Sequence, residues 1–117
     1  AKAQAFADQL NIPLAAKSWE DVVNNPDIDA VHIGTPNVLH HPMAMAAIAK
    51  GKHVLCEKPL TMTAAEAQEM LDAAEAKGIV HATNHNLRYY PVVQHVRQMV
   101  AAGELGDILA VQGTYSQ

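Results

Sequence analysis

Gly51-Lys52-His53-Val54-Leu55-Cys56-Glu57-Lys58-Pro59 is the stretch whose reading decides the fold. A glycine closes what comes before it, a short apolar run follows, and the run stops abruptly at a carboxylate, an amine and a proline. This is the pattern of a strand that ends at a functional edge, because open α/β sheets bind ligands outside the carboxyl ends of their strands. Glu57 and Lys58 are therefore the first candidates for chemistry. Pro59 pushes the backbone of Lys58 out of the helical region, so the amine is aimed by a constrained turn. An ammonium at such an edge can pass a proton, or it can stay charged and stabilise negative charge developing on oxygen. The plainer alternative is a salt bridge with a nearby carboxylate. Glu57 is suited to accept a hydrogen bond from a ligand hydroxyl or to orient Lys58, and its plainer alternative is a solvated charge at a strand end.

Working outward, the segment from about Leu39 to Lys50 reads as a helix closed by Gly51, with Met43, Ala44, Ala47 and Ile48 on its apolar side. Ahead of it, Ala30-Val31-His32-Ile33-Gly34 has the length and β-branching of a buried parallel strand, so a βαβ unit is complete by Cys56. Downstream, Thr63 and Glu66 stand at capping-box spacing. They open a helix with Met70, Leu71 and Ala74 on one face, which Lys77-Gly78 ends. Ile79–Thr83 is a third apolar strand, and the polar and aromatic loop Asn84–Tyr90 leads to Pro91 at the start of another helix. Val92, Val96, Met99 and Val100 are expected to face inward there. At the amino-terminal side a helix is expected from the first residue to Leu10, stopped by Asn11 and Pro13. A short strand at Leu14-Ala15-Ala16 and a helix from Trp19 to Asn24, capped by Ser18 with Asp21, come next. Strands alternating with helices predict an α/β fold with a parallel sheet and helices on both sides. After Gly103 the pattern changes, and Ile108–Tyr115 alternates like a strand with one wetter face. That change marks the expected domain boundary.

Composition narrows the function. The 117 residues carry a net charge of -4 and no basic run, so no nucleic-acid partner is expected. No apolar stretch approaches the roughly 20 residues that span a bilayer, and no basic leader precedes the first helix, so a cytoplasmic protein without membrane contact is the default. A single cysteine, Cys56, cannot form an internal disulfide, and its place inside a strand suits a small buried hydrophobe. Seven histidines raise the question of a metal. His40 and His41 are adjacent and point about 100° apart on a helix, so they lack the ligand pair of zinc proteases. His32, His53 and His81 lie within apolar strands, where hydrogen-bonded core histidines are expected. No metal site is expected. Tyr89 and Tyr90 are read as walling the crevice or packing the last helix.

Three strand ends, Gly34-Thr35-Pro36-Asn37, Cys56-Glu57-Lys58-Pro59 and the loop after Thr83, deliver polar groups to one edge. Thr35-Pro36-Asn37, then His40, then the Gly51–Pro59 stretch closely resemble the signature of the Gfo/Idh/MocA family of NAD(P)-dependent oxidoreductases, which act mainly on sugars and polyols. Asn86-Leu87-Arg88-Tyr89-Tyr90-Pro91 matches that family's Arg-aromatic-x-Pro segment. The resemblance implies the second half of a Rossmann-type doubly wound parallel sheet over residues 1–105, running into the first strand of an α+β substrate and oligomerisation domain at 106–117. It implies NAD or NADP as cofactor, a sugar or polyol as substrate, and a homo-oligomer formed through the C-terminal domain. It places Thr35, Pro36, Asn37 and His40 along the cofactor cleft, Glu57 against the nicotinamide ribose, and Lys58 beside both the nicotinamide and the reacting carbon as the proton-handling group. Asn86 borders the cofactor and Arg88 the substrate. The family's glycine-rich turn and its downstream Asp/His pair are missing from these residues. The chain is accordingly expected to be a piece of a longer enzyme, beginning in the helix after the second strand, and to be inactive alone. Two other readings stay open: an NAD-dependent glycosidase without net redox turnover, and a non-catalytic binding protein that keeps the fold.

Overall fold

The computed structural model describes residues 2–116. Three parallel strands, β1 (Ala30–Ile33), β2 (His53–Cys56) and β3 (His81–Thr83), form one sheet in the order β1-β2-β3. Five helices accompany them: α1 (Lys2–Leu10), α2 (Trp19–Asn24), α3 (His40–Ala49), α4 (Ala64–Lys77) and α5 (Pro91–Ala101). Short 3-10 turns occupy Asn37–Leu39 and Asn86–Tyr89. The chain forms two compact units, one ending at Asn84 and the other beginning at His85.

Local chemistry explains where the helices start and stop. Ser18 caps α2 and Thr63 caps α4, each in a reciprocal box with the carboxylate three residues on, Asp21 and Glu66. Asn11 ends α1 at a positive φ of 55°. Gly78 closes α4 at φ 65°, a left-handed conformation that costs a glycine little. In the first unit the core joins Ile33, Val54 and Cys56 of the sheet to Met43, Ala44, Ala47 and Ile48 of α3, Met70 and Ala74 of α4, and Val23 of α2. The small side chains of Ala44 and Ala47, both fully buried, let α3 lie close on the strands.

Lys52 is the unexpected member of this interior, only 6% exposed. Its ammonium donates to the carbonyls of Asn25 and Ile28 at 2.7 and 2.6 Å, fastening the loop between α2 and β1. The backbone adds a parallel tie, His53 N to Asp29 O at 2.9 Å.

The structure corrects several expectations. Leu14–Ala16 and Ile108–Tyr115 form no strand; the sheet among the described residues is made of β1, β2 and β3. His53 and His81 are exposed and His32 is more than half exposed, so none is a core histidine. The register explains two of them. Ala30 pairs with His53 and His32 with Leu55, which sets these residues on the sheet face opposite the core, and that face remains exposed in this unit. Within this unit α3 packs on the opposite face, against β1 and β2. His53 is nevertheless hydrogen-bonded, its Nδ1 accepting from the Val80 amide at 3.0 Å. Leu71 is partly exposed and lines an apolar groove of about 410 Å³ with Val54, Leu60, Met70 and His81. In the second unit no residue of α5 is buried; Val92, Val96 and Val100 are exposed because that unit has no core of its own to receive them. The helix expectation at Ala1 falls outside the described residues. No helix among the described residues is long and apolar enough to cross a membrane.

Lys52→Met should destabilise the protein by roughly 2–3 kcal/mol, since two part-buried carbonyls lose a charged donor. Urea unfolding of the two forms measures it, and a change below about 0.5 kcal/mol would show that the tie is dispensable.

Candidate functional site

The sheet's carboxyl edge is built by continuing the ladder past the strands. Ile33, Cys56 and Thr83 are level in register. Beyond them Glu57 N donates to Ile33 O at 2.9 Å and Asn84 N donates to Cys56 O at 2.8 Å. The residues that follow each strand, Gly34, Glu57 and Asn84, are thus held side by side. Side chains alternate along a strand, so Glu57 and Asn84 share the open face with His32. Asn84 Nδ2 donates to Glu57 Oε1 at 2.6 Å, and His32 Nε2 lies 3.4 Å from the same oxygen. Oε2 has no side-chain partner among the described residues. The hydrogen bond from Asn84 holds the Glu57 carboxyl below its ordinary value, against a smaller opposing effect of desolvation, and the Lys58 amide and His32 reinforce it. Glu57 is thus a fixed, charged acceptor, about one-third exposed, at the end of the central strand. A Cβ built on Gly34 would meet only Glu57 Cγ, at an ordinary 4.0 Å, so nothing in this chain's own packing requires glycine beside that carboxylate.

Lys58 is exposed and joined to Pro59 by a cis peptide bond. No carboxylate among the described residues pairs with its ammonium, Glu57 included, so the salt-bridge alternative is not realised and Glu57 does not orient it through an ion pair.

His40 is placed differently from the expectation of a cleft-lining residue. It is fully buried at the start of α3. Its Nδ1 lies 2.8 Å from Pro59 O and its Nε2 2.9 Å from Thr35 O. The ring stands behind the edge and ties the loop after β1 to the loop after β2. Thr35 is half-buried, with its hydroxyl 3.5 Å from Met43 Sδ, while Pro36 and Asn37 are exposed on the 3-10 turn and its approach. These residues and Glu57 and Lys58 are brought together in the first unit. Asn86 and Arg88 belong to the second, exposed in the 3-10 turn Asn86–Tyr89, where Gln94 Nε2 donates to Arg88 O.

Asn84 and His32 are the residues the sequence reading missed as members of the site. The available signal was register: Asn84 follows its strand just as Glu57 follows the neighbouring one. Cys56 is fully buried, and burial raises its thiol pKa, with the adjacent Glu57 charge adding to the effect. No group of three His, Cys, Asp or Glu side chains among the described residues is arranged to hold a metal ion.

Residues 1–85 match the profile of the Gfo/Idh/MocA oxidoreductase family, NAD-binding Rossmann fold. The chain belongs to that family. It is 44% identical over 108 residues to a 1,5-anhydro-D-fructose reductase of Ensifer adhaerens, covering 92% of this chain and 32% of the reductase. A levoglucosan dehydrogenase solved with NADH and levoglucosan superposes with a TM-score of 0.86 at 38% identity, over 92% of this chain and 29% of that one. A Synechocystis biliverdin reductase solved with biliverdin and NADP+ superposes with a TM-score of 0.76 at 35% identity, over 85% and 31% of the two chains. This family member thus spans about a third of the length of the curated relatives it matches.

Because the folded-state pKa of Glu57 is lowered, its charge contributes stability that is present above the ordinary value of 4.5 and is lost as pH falls through the lower folded value. Thermal unfolding of wild type and Glu57→Gln should therefore differ at pH 7 and converge in strong acid. A gap that is the same at both ends would show that the carboxylate's charge adds nothing.

Proposed function

We propose that the protein of which these residues form part is an oxidoreductase that moves a hydride between NAD or NADP and a hydroxyl carbon of a sugar, polyol or related small molecule. The observation that carries the reading is an ammonium, Lys58, with no ion-pair partner among the described residues, at the strand edge beside a carboxylate held in its charged form. The two groups divide the work. Glu57, with Oε1 held by Asn84 and no side-chain partner at Oε2 among the described residues, has the charge and the acceptor capacity to bind a ribose hydroxyl. Gly34 leaves the backbone beside it bare. These features fit a nicotinamide nucleotide, which when bound supplies the hydride donor or acceptor.

As the neutral amine Lys58 accepts the proton of the substrate hydroxyl during oxidation and, as the resulting ammonium, returns it during reduction; in the other mode it stays an ammonium and stabilises the alkoxide while water carries the proton away. Thr35, Pro36 and Asn37 form the wall of the cofactor cleft. His40 supports that wall from behind by holding the carbonyls of Thr35 and Pro59. The roles of Asn86 toward the cofactor and Arg88 toward the substrate rest on their motif, as does the assignment of 106–117 to the start of a substrate domain. The relatives support the substrate class: one is an anhydrofructose reductase and another was solved with levoglucosan, both acting on compact sugar derivatives.

Lys58→Met in the whole protein should lower kcat/KM on its best sugar or polyol by about 10²–10⁴-fold while the unfolding midpoint stays within a degree or two. A loss smaller than about tenfold would remove Lys58 from proton transfer. Failure of the wild-type protein to bind either NADH or NADPH in a fluorescence titration would overturn the reading as a whole.

A further inference from the structure

We propose that Asn84 is a positioning residue for cofactor binding, acting through Glu57; the inference rests on the role just given to Glu57. Both members of the pair are anchored before their side chains meet. The amide of Glu57 is bonded to Ile33 O, and the amide of Asn84 to Cys56 O, at 2.9 and 2.8 Å. The side-chain hydrogen bond therefore joins two backbone positions already locked to the sheet, and its 2.6 Å length is that of a contact to a charged acceptor. The orientation of the amide follows from chemistry, since an ionised carboxylate only accepts and the NH2 group must face it.

Two consequences separate this pair from an ordinary surface hydrogen bond. First, Asn84 and His32 both address Oε1, from the strands on either side of Glu57, so the two side chains that touch the carboxylate meet it at the same oxygen and fix its orientation. Rotation about the terminal torsion of a glutamate is otherwise broad. Second, Asn84 is half-buried and neutral, so it fixes the carboxylate without cancelling the charge. A lysine or arginine there would grip the carboxylate too, but would neutralise the acceptor that a ribose hydroxyl needs. The pair thus pre-organises a charged acceptor, which lowers the ordering cost of binding.

The test is a double-mutant cycle in the whole protein, read as the Kd of NADH or NADPH, whichever binds more tightly, by nucleotide fluorescence. Asn84→Ala should weaken binding by roughly tenfold in the wild-type background and by less than about twofold in Glu57→Ala, because the interaction it removes is then already gone. At saturating cofactor the KM for the sugar should not move. Asn84→Asp keeps the shape and removes the donor, so it should weaken binding at least as much as Asn84→Ala; it also carries the test if the alanine variant fails to fold. Equal losses in both backgrounds, or retained affinity in Asn84→Asp, would overturn the positioning role while leaving Glu57 as a cofactor ligand. Unchanged binding in Glu57→Ala would remove Glu57 from the cofactor site and the inference with it.

Discussion

The structure depends on three strand ends being level. Parallel pairing sets Ile33, Cys56 and Thr83 beside one another, and the two amides beyond them, Glu57 and Asn84, extend the ladder by one more rung. Everything chemically distinctive follows from that alignment. A slip of one residue in either pairing would turn Glu57 or Asn84 to the opposite face of the sheet and break the contact at Oε1. The hydrophobic alternation of β2, with Val54 and Cys56 buried and His53 and Leu55 outward, opposes such a slip. Core packing and site geometry are thus fixed by the same register.

Polar groups inside the fold serve this alignment from behind. His40 and Lys52 are the buried polar side chains among the described residues, and both set their nitrogens against backbone carbonyls. They act at opposite ends of the sheet. His40 holds the loops at the carboxyl edge, Thr35 and Pro59, and Lys52 gathers Asn25 and Ile28 ahead of β1. Carbonyls in connecting segments have no ladder to satisfy them, and a side chain that reaches across from another element supplies the missing donor without adding backbone.

Local chemistry was the most legible part of the sequence. The limits of α2 and β2 and both capping boxes follow from residues within four positions of one another, and the structure reproduces them. Features set at a distance were less accessible. Leu14–Ala16 and Ile108–Tyr115 carry strand-like composition, but a strand exists only where another chain segment completes its hydrogen bonds. The valines of α5 have helical spacing, yet spacing says nothing of what lies opposite. The histidines show the same limit in reverse: His32, His53 and His81 sit in apolar strands yet are exposed, whereas His40, at a helix start, is the one fully buried. Glu57 and Lys58 were legible as a motif. The Asn84 contact was not, because it depends on a residue 27 positions away in sequence.

The short distance in sequence from Cys56 to Glu57 has a consequence for durability. A reactive thiol needs its thiolate, and here both burial and the neighbouring negative charge disfavour that form. The same carboxylate that faces outward as an acceptor therefore keeps the sulfur behind it chemically quiet. Oxidation to sulfenic acid begins from the thiolate, so a sulfur one residue from the proposed redox centre is shielded from peroxide by electrostatics as well as by packing.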